Sequence, residues 1–327
     1  MPSARGVVRS TVVVVTWRGR EHLGACLAAL AAQDRAHTVV LLDNASDDGT
    51  AEVIADWRNA RSEEIGVLRL SRNRGYAGGL AAALPTVRTP FVAWLNDDAA
   101  PEPGWLAALE DELDADPRAA AAAGVLIGTD GSVSAGVGLT TDGYGVDLAS
   151  VQETMFGFCG GSVLLRTTAL AAAGGVPGGF FCYYEDTDTA WRLRLGGWRV
   201  VGVTGARAAH RHGASSRIGS RRFHRWNERN RLLTLLRCAP ATVALGQLAR
   251  FAAITAALPL RRARGVAIPA APNYTVALRL LVLAEVLGRL PATLVARARI
   301  GRRGAVSRAA VWRAWAGRAA QPVDHGG

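Results

Sequence analysis

An α/β fold with an open, mostly parallel central sheet is predicted by three observations. Short apolar, β-branched runs alternate with stretches of helical spacing through the first hundred residues, and such alternation pairs strands in parallel. Acidic clusters close or follow apolar runs in order along the chain: Asp43 in LLDNASDDGT, Asp97 and Asp98 in FVAWLNDDA, Glu185 and Asp186 in FFCYYEDTDTAW. Open α/β sheets bind ligands beyond the carboxyl ends of their strands, so carboxylates there mark a site. Finally, 327 residues can bury a sizeable core, which favours one large domain with a smaller appendage.

The elements follow in order. Residues 1–17, with a short valine-rich core and no small-residue cleavage site after it, read as a first strand (12–16) rather than a signal peptide. Residues 20–32 have helical spacing, 38–42 form a second strand, and Asn44-Ala-Ser-Asp-Asp-Gly supplies turn and capping residues for a helix over about 50–57. Asp47 and Asp48 belong to that cap. A third strand at 65–70 leads into Asn73-Arg-Gly-Tyr-Ala-Gly-Gly and an alanine-rich helix, and a fourth at 91–95 ends in the acidic pair. The glycines at 75, 78 and 79 lack the dinucleotide offsets and follow the third strand, so a nicotinamide site is a weak reading. Glu185 and Asp186 head a stretch with acids first and arginines later, a helix start.

Charge is unevenly placed. The net charge is +11 and lysine is absent; of 38 arginines, about 19 lie from Arg221 onward against three acids, Glu228, Glu285 and Asp324. The expected division is therefore residues 1–220 as a catalytic domain and 221–327 as a basic, apolar helical region. Its arginines flank helix-favouring stretches (241–260, 274–294) without aromatic interleaving, which points to a membrane surface and away from nucleic acid. Pro240, Gln247 and Arg250 in one stretch, and Arg279, Glu285 and Arg289 in the other, argue against a clean bilayer span. An in-plane amphipathic helix and a hairpin packed on the main domain both satisfy the spacing. Four scattered cysteines match no zinc pattern with His210 and His212 and read as reduced thiols of a cytoplasmic protein.

In sequence and order, DNASDDGT, NRGYAGG, WLNDDA, the block from GFCGGSVLLR to GGWRV and AAHRHGASS resemble the family 2 glycosyltransferases with the GT-A fold, nearest to their bacterial rhamnosyltransferase-like branch. The resemblance covers about residues 10–235. It implies an inverting hexosyl transfer, dependent on Mg2+ or Mn2+, from a dTDP- or UDP-linked sugar, L-rhamnose foremost, to a saccharide or lipid-linked cell-envelope acceptor. Such an enzyme would sit in the cytoplasm, peripheral on the inner face of the plasma membrane. UDP-galactofuranose, UDP-hexosamine and GDP-mannose remain alternative donors, a non-catalytic sugar-nucleotide-binding scaffold is the alternative from another class, and the sequence leaves open a homo-oligomer.

The same resemblance distributes roles. Asp43 would contact the base or ribose, although a turn aspartate has the same local signature. Thr16, Asn73, Gly75, Asn96, Asp97, Gly160 and Gly161 complete the donor contacts. Asn96 stands where the family's metal motif often has its first aspartate; Asp98, at the motif's last position, would be the metal ligand, and His210 resembles the histidine that completes the metal site in some relatives. Asp186 would act as general base, with Glu185 orienting it or meeting the acceptor. Tyr183, Trp191 and Trp198 could stack on a sugar, against core packing for the two tryptophans.

Overall fold

The valine run at 12–15 sits in β1 (Ser10–Thr16), buried along its whole length. The computed structural model describes residues 7–60, 65–211 and 219–318. In it Val12 and Val14 pack into one core cluster and Val13 and Val15 into another, which is why the strand is apolar on both faces instead of alternating.

The sheet is built from β1, β2 (His37–Asp43), β3 (Ile65–Arg69), β4 (Phe91–Asn96), β5 (Ala99–Pro101), β6 (Ala119–Gly128) with its short partner β7 (Val133–Ser134), and two later strands. The short β8 (Val137–Leu139) and β9 (Gly145–Asp147) form a separate hairpin; β10 (Ser162–Arg166) and β11 (Arg199–His210) return to the main sheet. Its order is β3-β2-β1-β4-β10-β6-β11-β5. The half carrying β3, β2, β1 and β4 is wholly parallel. Beyond it the sheet is mixed, because β10 runs antiparallel to both β4 and β6.

Helices cover both faces. On one, α1 (Leu23–Ala31) and α4 (Trp105–Ala115) bury Leu23, Leu27, Leu106 and Leu109; α2 (Thr50–Ala60) adds Ile54. On the other, α3 (Gly75–Ala83), α5 (Thr167–Ala172) and α6 (Glu185–Leu195) bury Leu80, Leu170 and Leu193. The first helix begins later than its spacing predicts, because the chain leaving β1 turns at Gly19, whose carbonyl accepts from the backbone N–H of His22 and Leu23. Asp48 caps α2 by accepting from the Thr50 backbone, while Asp47 pairs instead with exposed Arg18. Trp191 is fully buried and Trp198 packs against the core, so neither is a sugar platform; all four cysteines are free thiols.

After residue 220 come α7 (Arg221–Cys238), α8 (Ala241–Ala263), α9 (Val276–Arg303) and α10 (Arg308–Trp315). Ser220 caps α7 by accepting from the Phe223 backbone N–H. From Glu228 to Leu236 every residue of α7 is buried, and a third core cluster joins Phe180, Tyr184 and Trp191 to Leu232, Phe251 and Val282. α8 is long and apolar enough to cross a membrane by length and composition, more so than its internal proline and arginine lead one to expect.

Candidate active site

Register alone brings most of the acidic residues to one edge. In the parallel ladders Thr16 lies opposite Asp43, and Val15 opposite Asn96, so β1, β2 and β4 end level with one another. β11 reaches the same edge, further than residue 204 where its apolar run stops. Its last residue, His210, pairs with Ala99, and Arg211 N–H donates to the carbonyl of Asp98. Antiparallel β10 starts there, and the Gly161 carbonyl just before it accepts from Asn96 N–H.

A cavity of about 340 Å3 opens at this edge. Asn96, Asp97, Asp98 and His210 form part of its lining. Gly160, Gly161, Glu185 and Asp186 form another part. Asp98 Oδ1 lies 3.0 Å from His210 Nε2, and the Asn96 amide 3.2 Å from the same nitrogen. A Cβ at Gly161 would stand 2.7 Å from that amide, so the glycine is required for Asn96 to occupy its place, whereas Gly160 has ordinary room. Asp97 is buried and paired with His22 at 3.1 Å, and that contact raises the His22 imidazole above its usual pKa.

The other predicted donor contacts lie along the edge but not in the cavity wall. Thr16 is fully buried. Asp43 accepts from Ser46 N–H at 2.9 Å and pairs with Arg69 at 3.2 Å. Asn73 accepts from Gly75 N–H, and Gly75, at φ +71°, leaves room for the Phe181 carbonyl, which a Cβ there would meet at 2.1 Å. His212 lies outside the described residues.

Glu185 and Asp186 open α6 from an unusual turn. Phe181, Tyr183 and Tyr184 all have φ near +70°, a region that non-glycine residues enter at about 1–3 kcal/mol each. Tertiary contacts hold them there. The Asn230 side-chain amide of α7, fully buried, lies 3.0, 2.8 and 2.8 Å from the carbonyls of Phe180, Cys182 and Tyr183. Arg229 donates to the Asn230 carbonyl oxygen and so fixes which way the amide faces. On the opposite side, Ala77 N–H donates to the Phe181 carbonyl. The turn is thus wedged between α3 and α7.

Asp186 accepts from Gly160 N–H at 3.1 Å and from the backbone and hydroxyl of Thr187. Burial nevertheless raises its pKa, against those donors. Glu185 is pushed up to about 8, by burial first and by the neighbouring Asp186 charge second. Burial thus raises both carboxyls above the usual carboxylate range, as suits a site that takes up a proton.

A stability consequence follows. The unfolded chain releases the Glu185 proton near 4.5 but the folded chain near 8, so this group's contribution is whole below about pH 4.5 and is lost as pH rises through 8. The limiting slope is about 1.4 kcal/mol per pH unit. Melting temperature should fall over that window, and Glu185→Gln should melt close to the parent at pH 5 and above it at pH 8.5. Parallel melting curves for the two proteins would disprove the shift.

Asp98 and His210, side by side in the cavity wall, could hold a cation. Among the described residues no group of three or more His, Cys, Asp or Glu side chains forms a ready metal cage. The Asp98 carboxylate is of the type that suits Mg2+ or Mn2+, and the His210 imidazole would be a softer second donor.

Several lining residues have no local sequence signal. Tyr76 donates to the Gly160 carbonyl at 2.6 Å, and Asp147, from the β8–β9 hairpin, accepts from Ser134 at 3.0 Å. His22 and Asn230 likewise gain their meaning only from partners 75 and about 48 residues away.

Residues 11–172 match the glycosyl transferase family 2 model. The chain is 29% identical over 233 residues to the N-acetylglucosaminyl-diphospho-decaprenol L-rhamnosyltransferase of Mycobacterium tuberculosis, spanning 61% of this chain and 75% of the relative. In fold it is similar to a mannosyltransferase from Pyrobaculum calidifontis solved with GDP-Man and Mn2+ (TM-score 0.52, 20% identity, 96% of this chain and 88% of the other). It is similar also to S. aureus TarS solved with UDP-GlcNAc (TM-score 0.53, 19% identity, 94% and 91%). With the sheet, the cavity and these likenesses together, the chain carries a glycosyl transferase family 2 domain of GT-A fold and is a glycosyltransferase.

Proposed function

We propose that this glycosyltransferase moves L-rhamnose from a nucleoside diphosphate donor to a hydroxyl of a lipid-linked saccharide, with inversion and with a divalent cation. One observation carries the reading: the single cavity lined by Asp98 and His210 and also by Glu185 and Asp186. The sugar and the acceptor class are taken from the mycobacterial relative, whose acceptor is a diphospho-decaprenol saccharide.

The residues divide the work. Asp186 takes the proton from the acceptor hydroxyl as its oxygen bonds to the anomeric carbon; the bond from that carbon to the diphosphate oxygen breaks on the opposite face, and the nucleoside diphosphate leaves. Glu185 keeps a proton beside Asp186 and orients it. Asp98 and His210 would hold the cation, and a cation there would neutralise charge on the departing diphosphate. Thr16, Asp43, Asn73 and Gly75, along the edge outside the cavity wall, are assigned to the nucleoside end of the donor. Asn96, Asp97, Gly160 and Gly161 are assigned to the part nearer the sugar. Residues 1–220 carry the chemistry, and the helices after them bring the enzyme to the cytoplasmic membrane surface, where a lipid-linked acceptor resides.

The test is transfer from dTDP-L-rhamnose beside UDP-galactofuranose, UDP-hexosamine and GDP-mannose, with and without EDTA. Rhamnosyl transfer should exceed the others and fall by roughly two orders of magnitude on chelation, returning with Mn2+ or Mg2+. Turnover untouched by EDTA would remove the cation from the reaction, and preference for another donor would replace rhamnose.

A further inference from the structure

We infer that α8 and α9 form a face that docks flat on an anionic lipid bilayer. The inference deepens the proposed function, resting on it for its purpose, by naming the surface that meets the membrane. α7 is buried from Glu228 to Leu236, with α8 and α9 packed against it, so these two helices form an outer layer.

That outer layer is apolar where it meets solvent. From Ala277 to Ala298 every exposed residue of α9 is leucine, valine, alanine, glycine or proline. Leu280, Leu287, Leu294 and Val295 are each half exposed or more, as are Leu245 and Leu260 on α8. Apart from Thr242 and Arg250, which is paired with Asp142, the exposed positions of α8 up to Leu260 are likewise apolar. Contiguous apolar surface of this kind on a folded domain marks a contact surface.

Charge says what covers it. Arg261, Arg262 and Arg264 stand exposed where α8 ends, and Arg299 and Arg302 near the end of α9. Arg297 donates to the carbonyls of Leu236 and Ala239, so the end of α9 lies beside the start of α8, and both ends of the helix pair are basic. The one acid between residues 239 and 318, Glu285, is engaged by Arg225 and Arg229. An apolar face flanked by arginines fits acyl chains rimmed by anionic headgroups. A second copy fits worse, because two such faces would bring arginine clusters together in either direction.

The helix pair lies in the plane and does not span. α8 buries Phe251, Thr255 and Leu258 on its inner side, where the Arg279 guanidinium sits over the Phe251 ring and donates to the Phe251 carbonyl and the Thr255 hydroxyl. Crossing a bilayer would require breaking these contacts.

Flotation of the full chain with phosphatidylcholine vesicles, with and without phosphatidylglycerol, tests this. The protein should float with the anionic vesicles, and a Leu287→Asp, Leu294→Asp double variant should bind at least about tenfold more weakly. Replacing Arg261, Arg262 and Arg264 by glutamine should weaken binding about fivefold per arginine. Melting temperatures and transfer to a short, water-soluble acceptor should stay at parent values in both variants. Absence of transfer in every protein would count against the transferase chemistry and leave the vesicle result standing. The docking face is refuted if the parent does not float, if the aspartate variant floats equally well, or if the parent is a dimer that this variant splits. Resistance of the bound protein to alkaline extraction would overturn the in-plane geometry.

Discussion

Asp186→Asn should slow sugar transfer by about 10²- to 10⁴-fold, the range lost when a positioned general base is removed. The amide keeps the size of the carboxylate but cannot take up the acceptor proton. Asp186 already accepts from Gly160 and Thr187, so the substitution turns one amide N–H toward an N–H donor, and Asp186→Ala serves as the variant free of that conflict. Nucleoside diphosphate affinity, measured by calorimetry, should change little, because the base is assigned to the acceptor's hydroxyl and not to the donor. Full turnover in both variants would end the assignment of Asp186 and with it the division of labour in the cavity.

Asn230→Ala should both destabilise the protein, by about 3 kcal/mol, and lower kcat by on the order of tenfold or more. Its amide ties α7 to the backbone carbonyls of Phe180, Cys182 and Tyr183, and Arg229 shares only the first of these by donating to the Phe180 carbonyl. Without it the Cys182 and Tyr183 carbonyls lose their buried donor, and the left-handed residues Phe181, Tyr183 and Tyr184 can relax. Asp186 lies two residues beyond the turn, and a displacement of about 1 Å is enough to cost a catalytic group about 10²-fold. Leu236→Ala, on the same helix and in the same core but away from the turn, is the control: it should lose comparable stability with kcat intact. If Asn230→Ala and Leu236→Ala lower kcat equally, or if the Asn230 variant alters donor KM and not kcat, the turn does not position the base.

Much of the first half of the fold was legible because its signals are local. A run of β-branched residues such as 12–15 favours a buried strand, and the alternation with helical spacing through Asn96 favours parallel pairing. Helix starts at Thr50 and Glu185 were likewise visible from capping residues and first-turn acids. Where a signal was distant the reading stopped short. The strand carrying His210 runs six residues past its apolar core because β5 and β6 pair with it there, and nothing in Gly-Ala-Arg-Ala-Ala announces that pairing. The antiparallel insertion of β10 between β4 and β6 is equally invisible, since a buried strand has the same composition in either direction.

The site divides along the same line. Acidic residues at strand ends could be picked out one by one, because each carries its own local pattern of apolar run, turn and carboxylate. The convergence of Asp97, Asp98, Glu185 and Asp186 in one cavity, with Asp43 left outside it, the pairing of Asp97 with His22 and the burial that raises the Glu185 pKa all depend on segments far apart in the chain packing together. The C-terminal helices show the contrast most clearly. Composition announced them as basic and apolar, but which leucines face outward, and that Asn230 ties down the turn before the base, follows from packing, which chooses one face of each helix to bury and leaves the other to solvent.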